Sequence, residues 1–268
     1  MANFGSLTIF FPMWNEESYI EPAVNAAREV CLHLVGAGEI SDYEILIVDD
    51  ASSDRTPIIA DRLAAADPHV RVIHHGVNRK LGGSLKTGFA GARGDLVLYT
   101  DADLPFDLYE VTRACRLLRT HDADAICAYR LHRDGESWRR AVYSAVWNGL
   151  VRTCFGLKQR DVNFSFKLCR RRVFEHVVLT SEGSFIDVEL LVQLDRLGYR
   201  VLQIGVDYFA RNRGVSTLSS WPVIVGMLKE GWSRGRALRR IRRLPESELR
   251  RRSTATPVPP VAVDGGKR

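Results

Sequence analysis

The stretch Leu96–Pro105, LVLYTDADLP, runs from four apolar residues into two carboxylates, Asp101 and Asp103, and ends at a proline. A short apolar run of this kind is typical of a buried parallel strand, and ligands of open α/β sheets bind beyond the carboxyl ends of such strands. Because two carboxylates this close repel each other unless a cation lies between them, the stretch predicts a metal site at the edge of an α/β sheet. Oxygen ligands suit Mg²⁺ or Mn²⁺ that also contacts substrate phosphates, although a D-x-D pair alone is as compatible with a solvated loop.

Apolar runs and helical patterns alternate along the chain before this stretch. Strands are predicted at Leu7–Phe11, Tyr43–Val48 and Val70–Ile73. The helical patterns run from Asn15 to Leu34, from Asp54 to about Ala66, and from the glycine-marked segment Leu81–Ser84 to Gly91 or Gly94. Strands that alternate with helices predict a mostly parallel sheet with right-handed crossovers.

Two polar loops follow strands at positions equivalent to that of the D-x-D pair: residues 12–16, PMWNE, and residues 48–52, VDDAS. Because the carboxyl ends of parallel strands share one edge of a sheet, these loops are expected to meet in one cleft. There a carboxylate can accept hydrogen bonds from a nucleotide, and Trp14 can cover a base. Asp50 could instead cap the following helix, a role that Ser53 or Asp54 could also fill. The chain lacks G-x-G-x-x-G after the first strand and lacks G-x-x-x-x-G-K-[ST], which disfavours dinucleotide dehydrogenases and P-loop enzymes.

The formal net charge of +6 is concentrated near the C-terminus. Residues 229–252 hold ten Lys and Arg against three Glu, a local net charge of +7. This distribution favours an anionic membrane surface over nucleic acid as the partner of the basic part. Trp221, Ile224, Val225, Leu228 and Trp232 share one helical face beside these charges, and the intervening glycines predict order only against lipid or a partner.

Length and composition predict a catalytic domain over residues 1–218, an amphipathic, basic, membrane-associating segment over 219–252 and a disordered tail over 253–268. Five cysteines without C-x-x-C spacing predict reduced thiols. Since no apolar stretch of about 18 residues occurs, no spanning helix is predicted. We therefore expect a cytoplasmic protein that is peripheral on the cytosolic face of the membrane.

Taken in order, the motifs at residues 12–16, 48–52, 81–83 and 101–103 resemble those of GT-A glycosyltransferases of family 2. The later motifs resemble those of the polyprenyl (dolichyl) phosphate sugar transferases. They are residues 128–130 (AYR), 148–152 (NGLVR), 155–157 (FGL), 161–167 (DVNFSFK), 187–190 (DVEL) and 211–216 (RNRGVS). The resemblance spans about residues 7–218. It implies a GT-A nucleotide-sugar-binding α/β fold, whose mostly parallel central sheet is flanked by helices and followed by the amphipathic basic segment.

The resemblance also implies roles for particular residues. Those implied to bind the nucleotide sugar are Pro12, Trp14, Asn15, Glu16, Val48, Asp49, Asp50, Asp101 and Ala102. Asp101 and Asp103 are implied to hold the donor diphosphate through the metal and, with Arg130 and Arg211, to form the catalytic set. Those implied at the acceptor phosphate are Arg130, Asp187, Glu189, Arg211 and Ser216. Guanidinium groups suit this task because they bind phosphate oxygens bidentately and stay charged, whereas charge on a helix surface is the alternative for Asp187 and Glu189.

The implied function is inverting transfer of a hexose, most simply mannose, from GDP-mannose or UDP-glucose to a polyprenyl phosphate lipid. Pro105, Trp14 and Thr217 stand where mannosyl members usually have glutamine, tyrosine and lysine, so the sequence leaves the donor sugar open. Glucose as the sugar, a soluble glycan acceptor with Asp187 as base, and a non-catalytic scaffold that binds nucleotide sugar at the membrane remain alternatives. A need for small membrane subunits also stays open. A nucleotidyltransferase is disfavoured because the glycine-rich start expected after its first strand is absent.

Overall fold

The structure, a computed structural model, describes the backbone of residues 4–132, 138–209 and 221–249, and their side chains except those of 138–143 and 221–224. The strands of this part of the chain are β1 (Phe4–Met13), β2 (Ile40–Asp49), β3 (Val70–His74), β4 (Leu96–Tyr99), β5 (Ala125–Arg130), β6 (Lys167–Arg170) and β7 (Val201–Val206). Its α-helices are α1 (Ile20–Gly36), α2 (Thr56–Ala66), α3 (Lys80–Gly91), α4 (Glu110–Thr120), α5 (Trp138–Phe155), α6 (Ile186–Leu197), α7 (Trp221–Arg239) and α8 (Glu246–Leu249). A 3₁₀ helix, Arg171–Glu175, follows β6. Every strand and helix predicted between Leu7 and Tyr99 is present.

The strands form one sheet in the order β3-β2-β1-β4-β6-β5-β7. Neighbours from β3 to β4 are parallel, and β5 is parallel to β7, which confirms the mostly parallel sheet. β6 is antiparallel to both β4 and β5, so β4 has one antiparallel neighbour that its apolar run does not predict. Because β6 alone is reversed, the carboxyl ends of β1, β2, β4 and β5 point to the same edge of the sheet.

Strand β1, an inner strand of the sheet, is buried on both of its faces, as expected for a parallel sheet covered by helices. Leu7, Ile9 and Phe11 face the layer that contains α1, α2 and α4, whereas Phe10 faces the layer that contains α3 and α6. A Cβ atom at Gly88 of α3 would lie only 2.2 Å from the Phe10 ring, so the glycine allows the helix to approach β1 closely. This packing fixes the sheet edge from which the site loops emerge.

The first helix begins at Ile20, which corrects the prediction that it opens at Asn15. Asn15 has a φ of 56°, in the left-handed region that interrupts a helix. The Glu16 carbonyl accepts hydrogen bonds from the amides of Tyr19 and Ile20, at 2.9 and 3.0 Å, and forms the turn that leads into α1. The polar residues 15–18 therefore belong to the loop at the sheet edge.

Helix α7 packs on the α/β domain, which corrects the expectation that this segment is ordered only against lipid or a partner. Met227 and Leu238 are buried. A Cβ at Gly231 would lie 3.1 Å from the ring of Phe185, the residue just before α6. Gly231, one of three glycines that lower the intrinsic helix propensity of α7, thus permits close packing. Trp232 remains 89% exposed, so one apolar side chain of the predicted membrane face points away from the domain.

Among the described residues, none of the helices combines the length and apolar character needed to cross a bilayer. The division at residue 218 stays a prediction, and the tail from residue 253 lies outside the described residues.

Candidate active site

The D-x-D pair lies directly after β4, at the edge predicted from the sequence. Tyr99 ends the strand, and its hydroxyl donates a hydrogen bond of 3.3 Å to Oδ1 of Asp101. Ala102 is 3% exposed and anchors the loop in the core, so the pair is held in place rather than carried on a solvated loop. Burial, and then the neighbouring charge of Asp103, raise the pKa of Asp101 to about 7.

A third carboxylate, that of Asp187, lies close to this pair. Burial and the nearby charges of Asp101, Asp187 and Asp103 raise the pKa of Tyr99 well above its ordinary value. Asp187 itself is 2% exposed and forms an ion pair with Lys167, with 3.0 Å between Nζ and Oδ1. Lys167 belongs to a motif used for the family resemblance, but no role was predicted for it. The ion pair between Lys167 and Asp187 could not be predicted from the sequence, because β6 and α6 come together only in the folded protein.

Glu189 lies one turn into α6 and is also buried, at 2% exposure. Its carboxylate accepts hydrogen bonds from the amides of Thr180 and Ser181, at 3.0 and 2.8 Å, and from the Thr180 hydroxyl, at 2.6 Å. The alternative of helix-surface charge is therefore wrong for both Asp187 and Glu189. These contacts give Glu189 a structural task in holding the loop before α6, and its role at the acceptor phosphate stays a prediction.

The loops after β1 and β2 interlock at the same sheet edge. Oδ1 of Asn15 accepts a hydrogen bond of 2.8 Å from the Ser53 amide, and the Asn15 amide donates to Oγ of Ser52 at 2.9 Å. The Glu16 amide donates to Oγ1 of Thr56 at 2.9 Å. The two motifs predicted to meet in one cleft do so, because parallel β1 and β2 end side by side.

Asp49 and Asp50 are buried and each contacts a histidine at the end of β3. Nδ1 of His74 lies 2.8 Å from Oδ2 of Asp49, and Nδ1 of His75 lies 2.6 Å from Oδ1 of Asp50. The Arg79 amide also donates to Oδ1 of Asp50, at 2.7 Å. Asp50 thus fastens the loop that leads into α3, and the capping alternative for α2 is wrong. The histidines were missed because their partners depend on the pairing of β2 with β3.

Trp14, one of the residues predicted to bind the nucleotide sugar, is 52% exposed. Its neighbour Pro12 lies in β1 opposite Val48 of β2, which is fully buried. Val48 therefore shapes the wall beneath the loops, while Trp14 presents its ring at the cleft. An exposed aromatic ring at the sheet edge is suited to stacking on a planar base.

Arg130 ends β5 at the same edge, and its guanidinium is held by Asp161. Nε and Nη2 of Arg130 donate to the two carboxylate oxygens of Asp161, at 2.7 and 3.0 Å. The group also lies 5.0 Å from the ring centroid of Tyr208. Most of the planar fork expected to bind phosphate is engaged within the protein, and the phosphate role of Arg130 stays a prediction. Arg211 and Ser216 lie outside the described residues.

The residues at the D-x-D loop fit a divalent cation bound together with a diphosphate. Among the described residues, no group of three or more His, Cys, Asp or Glu side chains is arranged to hold a metal ion by itself. Two aspartates that leave other positions to phosphate oxygens and water are the arrangement expected for Mg²⁺ or Mn²⁺ at a nucleotide. The cluster of three carboxylates and one ammonium also has a net negative charge that a divalent cation balances.

Comparisons with known proteins agree with this geometry. Residues 8–178 match the family described as Glycosyl transferase family 2. The chain is 30% identical over 234 residues to the polyprenol monophosphomannose synthase of Mycolicibacterium smegmatis, with 82% of this chain and 84% of that protein covered. It is 33% identical over 207 residues to glycosyltransferase AglD of Haloferax volcanii, with 75% of this chain but 33% of that relative covered. The chain thus spans about a third of the length of AglD.

Solved structures share the fold at lower identity. The glucosyl-3-phosphoglycerate synthase of Mycobacterium tuberculosis, in complex with Mn²⁺, UDP-glucose and phosphoglyceric acid, superposes with a TM-score of 0.61 at 22% identity, covering 84% of this chain and 79% of that one. A mannosyltransferase of Pyrobaculum calidifontis, in complex with GDP-mannose and Mn²⁺, gives a TM-score of 0.56 at 19% identity, covering 80% and 59%. The chain belongs to glycosyl transferase family 2 and has the GT-A fold.

Proposed function

We propose that this family 2 glycosyltransferase moves one hexose, with mannose the first candidate, from a nucleotide sugar to the phosphate of a polyprenyl lipid. The observation that carries the proposal is the 30% identity to a polyprenol monophosphomannose synthase over 82% of this chain and 84% of that relative. A match that covers 82% of the chain has to include both the D-x-D pair and α6. The similarity therefore supports a shared acceptor class in addition to a shared donor site.

The geometry at the sheet edge supports binding of the donor by the first half of the chain. Trp14 would stack on the base, and Asp50 would accept hydrogen bonds from the base or ribose next to the loop that it fastens. Asp101 and Asp103 would hold Mg²⁺ or Mn²⁺ together with the diphosphate. When bound, the ion neutralises negative charge that develops on the leaving nucleoside diphosphate.

Transfer would be a single displacement with inversion at the anomeric carbon. An oxygen of the lipid phosphate forms the new bond to that carbon while the bond to the nucleoside diphosphate breaks, and the departing oxygen keeps the electron pair. Because the lipid phosphate is ionised near neutral pH, a protein base does not have to remove a proton. The chain's task is then to align donor and acceptor and to balance charge.

The acceptor phosphate would approach from the side of β5 and α6. Arg211 and Ser216 are proposed to contact it, and Arg130, fixed by Asp161, would contribute positive charge from a rigid position at the end of β5. Asp187 and Glu189 would shape this side of the site from α6. The assignment of all five residues rests on the family resemblance and on their placement.

A donor screen tests the proposal. Purified full-length protein would be incubated with Mn²⁺, a short-chain polyprenyl phosphate, and GDP-mannose, UDP-glucose or UDP-N-acetylglucosamine in turn, and the labelled product would be extracted into organic solvent. We expect organic-extractable sugar with one donor, in greatest amount with GDP-mannose. Transfer of sugar only to a soluble phosphorylated or glycan acceptor would overturn the lipid assignment, and absence of turnover with every donor would favour a non-catalytic scaffold.

Attachment to an anionic membrane surface on the cytosolic face is part of the same proposal. The exposed Trp232 and the basic residues of 229–252 would hold α7 at the lipid headgroups. Deletion of residues 229–268 is a poor test, because Glu230 accepts hydrogen bonds from the amides of Glu182 and Gly183 and Leu238 is buried. The helix is part of the packed domain.

Point substitutions at exposed positions avoid this difficulty. Each basic residue near an anionic surface contributes about 1 kcal/mol, so replacing Arg236, Arg240 and Arg242 with glutamine should weaken binding to phosphatidylserine vesicles about 100-fold. High salt should weaken attachment of the wild-type protein as well. Replacement of three exposed arginines outside the C-terminal segment, Arg62, Arg93 and Arg113, with glutamine is the matched control. Equal loss of vesicle co-sedimentation in both variants would show that overall charge, and not this segment, governs attachment.

A further inference from the structure

The ion pair between Lys167 and Asp187 is one of the most deeply buried charged features of the described residues. The two side chains are 1% and 2% exposed, and Nζ lies 3.0 Å from Oδ1. Lys167 also donates a hydrogen bond to the Phe164 carbonyl, which leaves its ammonium with little freedom to move. Its position at the start of β6 places it in the strand next to β4, whose carboxyl end carries the D-x-D pair.

The pair belongs to a continuous set of polar contacts that reaches the site. Nζ of Lys167 lies 5.9 Å from the ring centroid of Tyr99, whose hydroxyl donates to Asp101. Near the same α6 residues, Asn163 donates a hydrogen bond of 2.8 Å to the Ser184 carbonyl, just before α6, and accepts one of 2.8 Å from Nε1 of Trp147. Asn163 thus ties α5 to the start of the helix that carries Asp187, and Asp187 is connected through Lys167 to the Tyr99 ring beneath the D-x-D loop.

The energetics of buried charges indicate that stability alone does not account for this arrangement. Removing two charges from water costs several kcal/mol for each ion, so a buried pair contributes little to stability compared with apolar side chains of similar volume. Losing one partner is strongly destabilising, because the other charge remains buried without compensation. A buried pair beside a cluster of carboxylates therefore points to a role in fixing the position of charge.

We propose that Lys167 is a positioning residue for sugar transfer, which through its ion pair fixes the Asp187 carboxylate beside the D-x-D pair. The proposal rests on the proposed function, since the D-x-D pair is taken to be the metal and diphosphate site. Lys167 supplies the ammonium that keeps three neighbouring carboxylates together when the donor is absent. It thereby keeps Asp101 and Asp103 in an arrangement that accepts a divalent cation with the nucleotide.

A double-mutant cycle separates positioning from stability. The proteins are the wild type, Lys167→Met, Asp187→Asn and the double variant, and each is measured in three ways. Urea unfolding gives stability, calorimetric titration with Mn²⁺ in the presence of GDP or UDP gives metal affinity without turnover, and the transfer assay gives kcat and KM for the donor. Lys167→Met should be the least stable of the four, because it leaves a buried carboxylate unpaired, and the double variant should recover much of that loss.

We expect the folded double variant to bind Mn²⁺ with nucleotide at least fivefold more weakly than the wild type and to have a kcat about 100-fold lower. A purely structural pair would behave differently, since recovery of stability would restore both quantities. Metal affinity and kcat within threefold of the wild type in the stable double variant would overturn the proposal.

Asn163→Ala provides a second test if the double variant does not fold. It keeps the Lys167–Asp187 ion pair but removes the hydrogen bonds by which Asn163 ties Trp147 of α5 to the Ser184 carbonyl just before α6, at a position that is partly exposed. We expect about a threefold weaker Mn²⁺ affinity with little change in unfolding, and unchanged affinity would count against positioning. The nucleotide titration needs no lipid acceptor, so failure of the lipid assignment would be seen separately in the wild-type transfer assay.

Discussion

The carboxylates of the two halves of the site are stabilised in different ways. Asp49 and Asp50, at the end of β2, each contact a histidine at the end of β3, His74 or His75, and accept hydrogen bonds from backbone amides of neighbouring loops. Asp101, at the end of β4, lies beside two further carboxylates, and burial together with Asp103 raises its pKa to about 7. In this second group, the Lys167 ammonium forms an ion pair with the Asp187 carboxylate.

This difference indicates that the two groups of carboxylates at the sheet edge have different roles. Carboxylates that are already satisfied by the protein fix the shape of the nucleotide pocket and change little when the donor binds. Carboxylates that repel one another in a partly buried loop are stabilised further by a cation, and so they couple metal binding to binding of the diphosphate. Substitutions at the two groups should therefore affect different kinetic quantities.

The largest effect is expected at the D-x-D pair. Asp103→Asn removes one of two charges proposed to hold the metal, while the loop side chain contributes little to packing. We expect kcat to fall about 1,000-fold at saturating donor, the order of loss seen when an electrostatic contact to the transition state is removed. Unfolding in urea should change little, and chelation of the metal should reproduce the defect in the wild type. Turnover close to that of the wild type at saturating Mn²⁺ would contradict the assignment.

The next largest effect is on stability and concerns Glu189, the other carboxylate of α6. Glu189→Gln replaces a carboxylate that accepts three hydrogen bonds from Thr180 and Ser181 with an amide that cannot accept all of them. Loss of such charge-assisted contacts should lower the free energy of unfolding by about 2 kcal/mol. We expect turnover of the folded protein to stay within about threefold of the wild type, measured well below the unfolding transition.

Glu182→Gln, in the same loop, is the control for Glu189→Gln because the Glu182 side chain is exposed and only its backbone contacts Glu230 and Gly82. It should leave stability unchanged. If Glu189→Gln instead lowered kcat without affecting unfolding, Glu189 would belong to the acceptor site in the way that the family resemblance implies.

The placement of the loops after β1, β2 and β4 at one edge of the sheet could be predicted from the sequence, for a physical reason. Loops that follow consecutive parallel strands must meet at one edge, so the motifs around Asn15, Asp50 and Asp101 could be placed together from their order alone. The apolar runs that define β1, β2 and β4 are strong local signals. The family resemblance inferred from these motifs was confirmed, as was the mostly parallel sheet.

The second half depends on contacts that local patterns do not encode. The sequence of a four-residue strand does not indicate that β6 runs antiparallel to its neighbours. Without that pairing, Lys167 cannot be placed next to β4. Asp187 and Glu189 were open to interpretation as helix-surface charges because helical periodicity gives no sign that α6 is buried on nearly every side. The glycines of α7 were similarly interpreted as lowering its stability, although one of them, Gly231, allows the helix to pack on Phe185.

A smaller effect is expected when an aspartate of the nucleotide pocket, Asp50, is replaced with asparagine. Asp50→Asn keeps the size of the side chain but removes the charge that contacts His75 and the Arg79 amide. We expect KM for the nucleotide sugar to rise about tenfold, a cost of about 1.4 kcal/mol, with kcat within about threefold of the wild type. Asp103→Asn should instead act mainly on kcat and change KM little. If Asp50→Asn lowered kcat as strongly as Asp103→Asn, the distinction between the two groups would be wrong.

The smallest effect concerns the pH dependence of stability at His74. Burial acts to lower the pKa of His74, but hydrogen bonds and charge from Asp49 and Asp61 outweigh it, so the pKa is raised. A histidine whose pKa is higher in the folded state stabilises the protein fully below its unfolded pKa of about 6.5, and this contribution is lost as the pH rises through the folded value. His74→Gln should therefore destabilise the protein more at about pH 5.5 than at about pH 8.5, as measured by urea unfolding. The difference should be small, because the side chain is 38% exposed. His121→Gln, at an exposed histidine that directly follows α4, is the control. If His74→Gln lowered the free energy of unfolding equally or more at the higher pH, the ion pairs of His74 would not contribute to stability in this way.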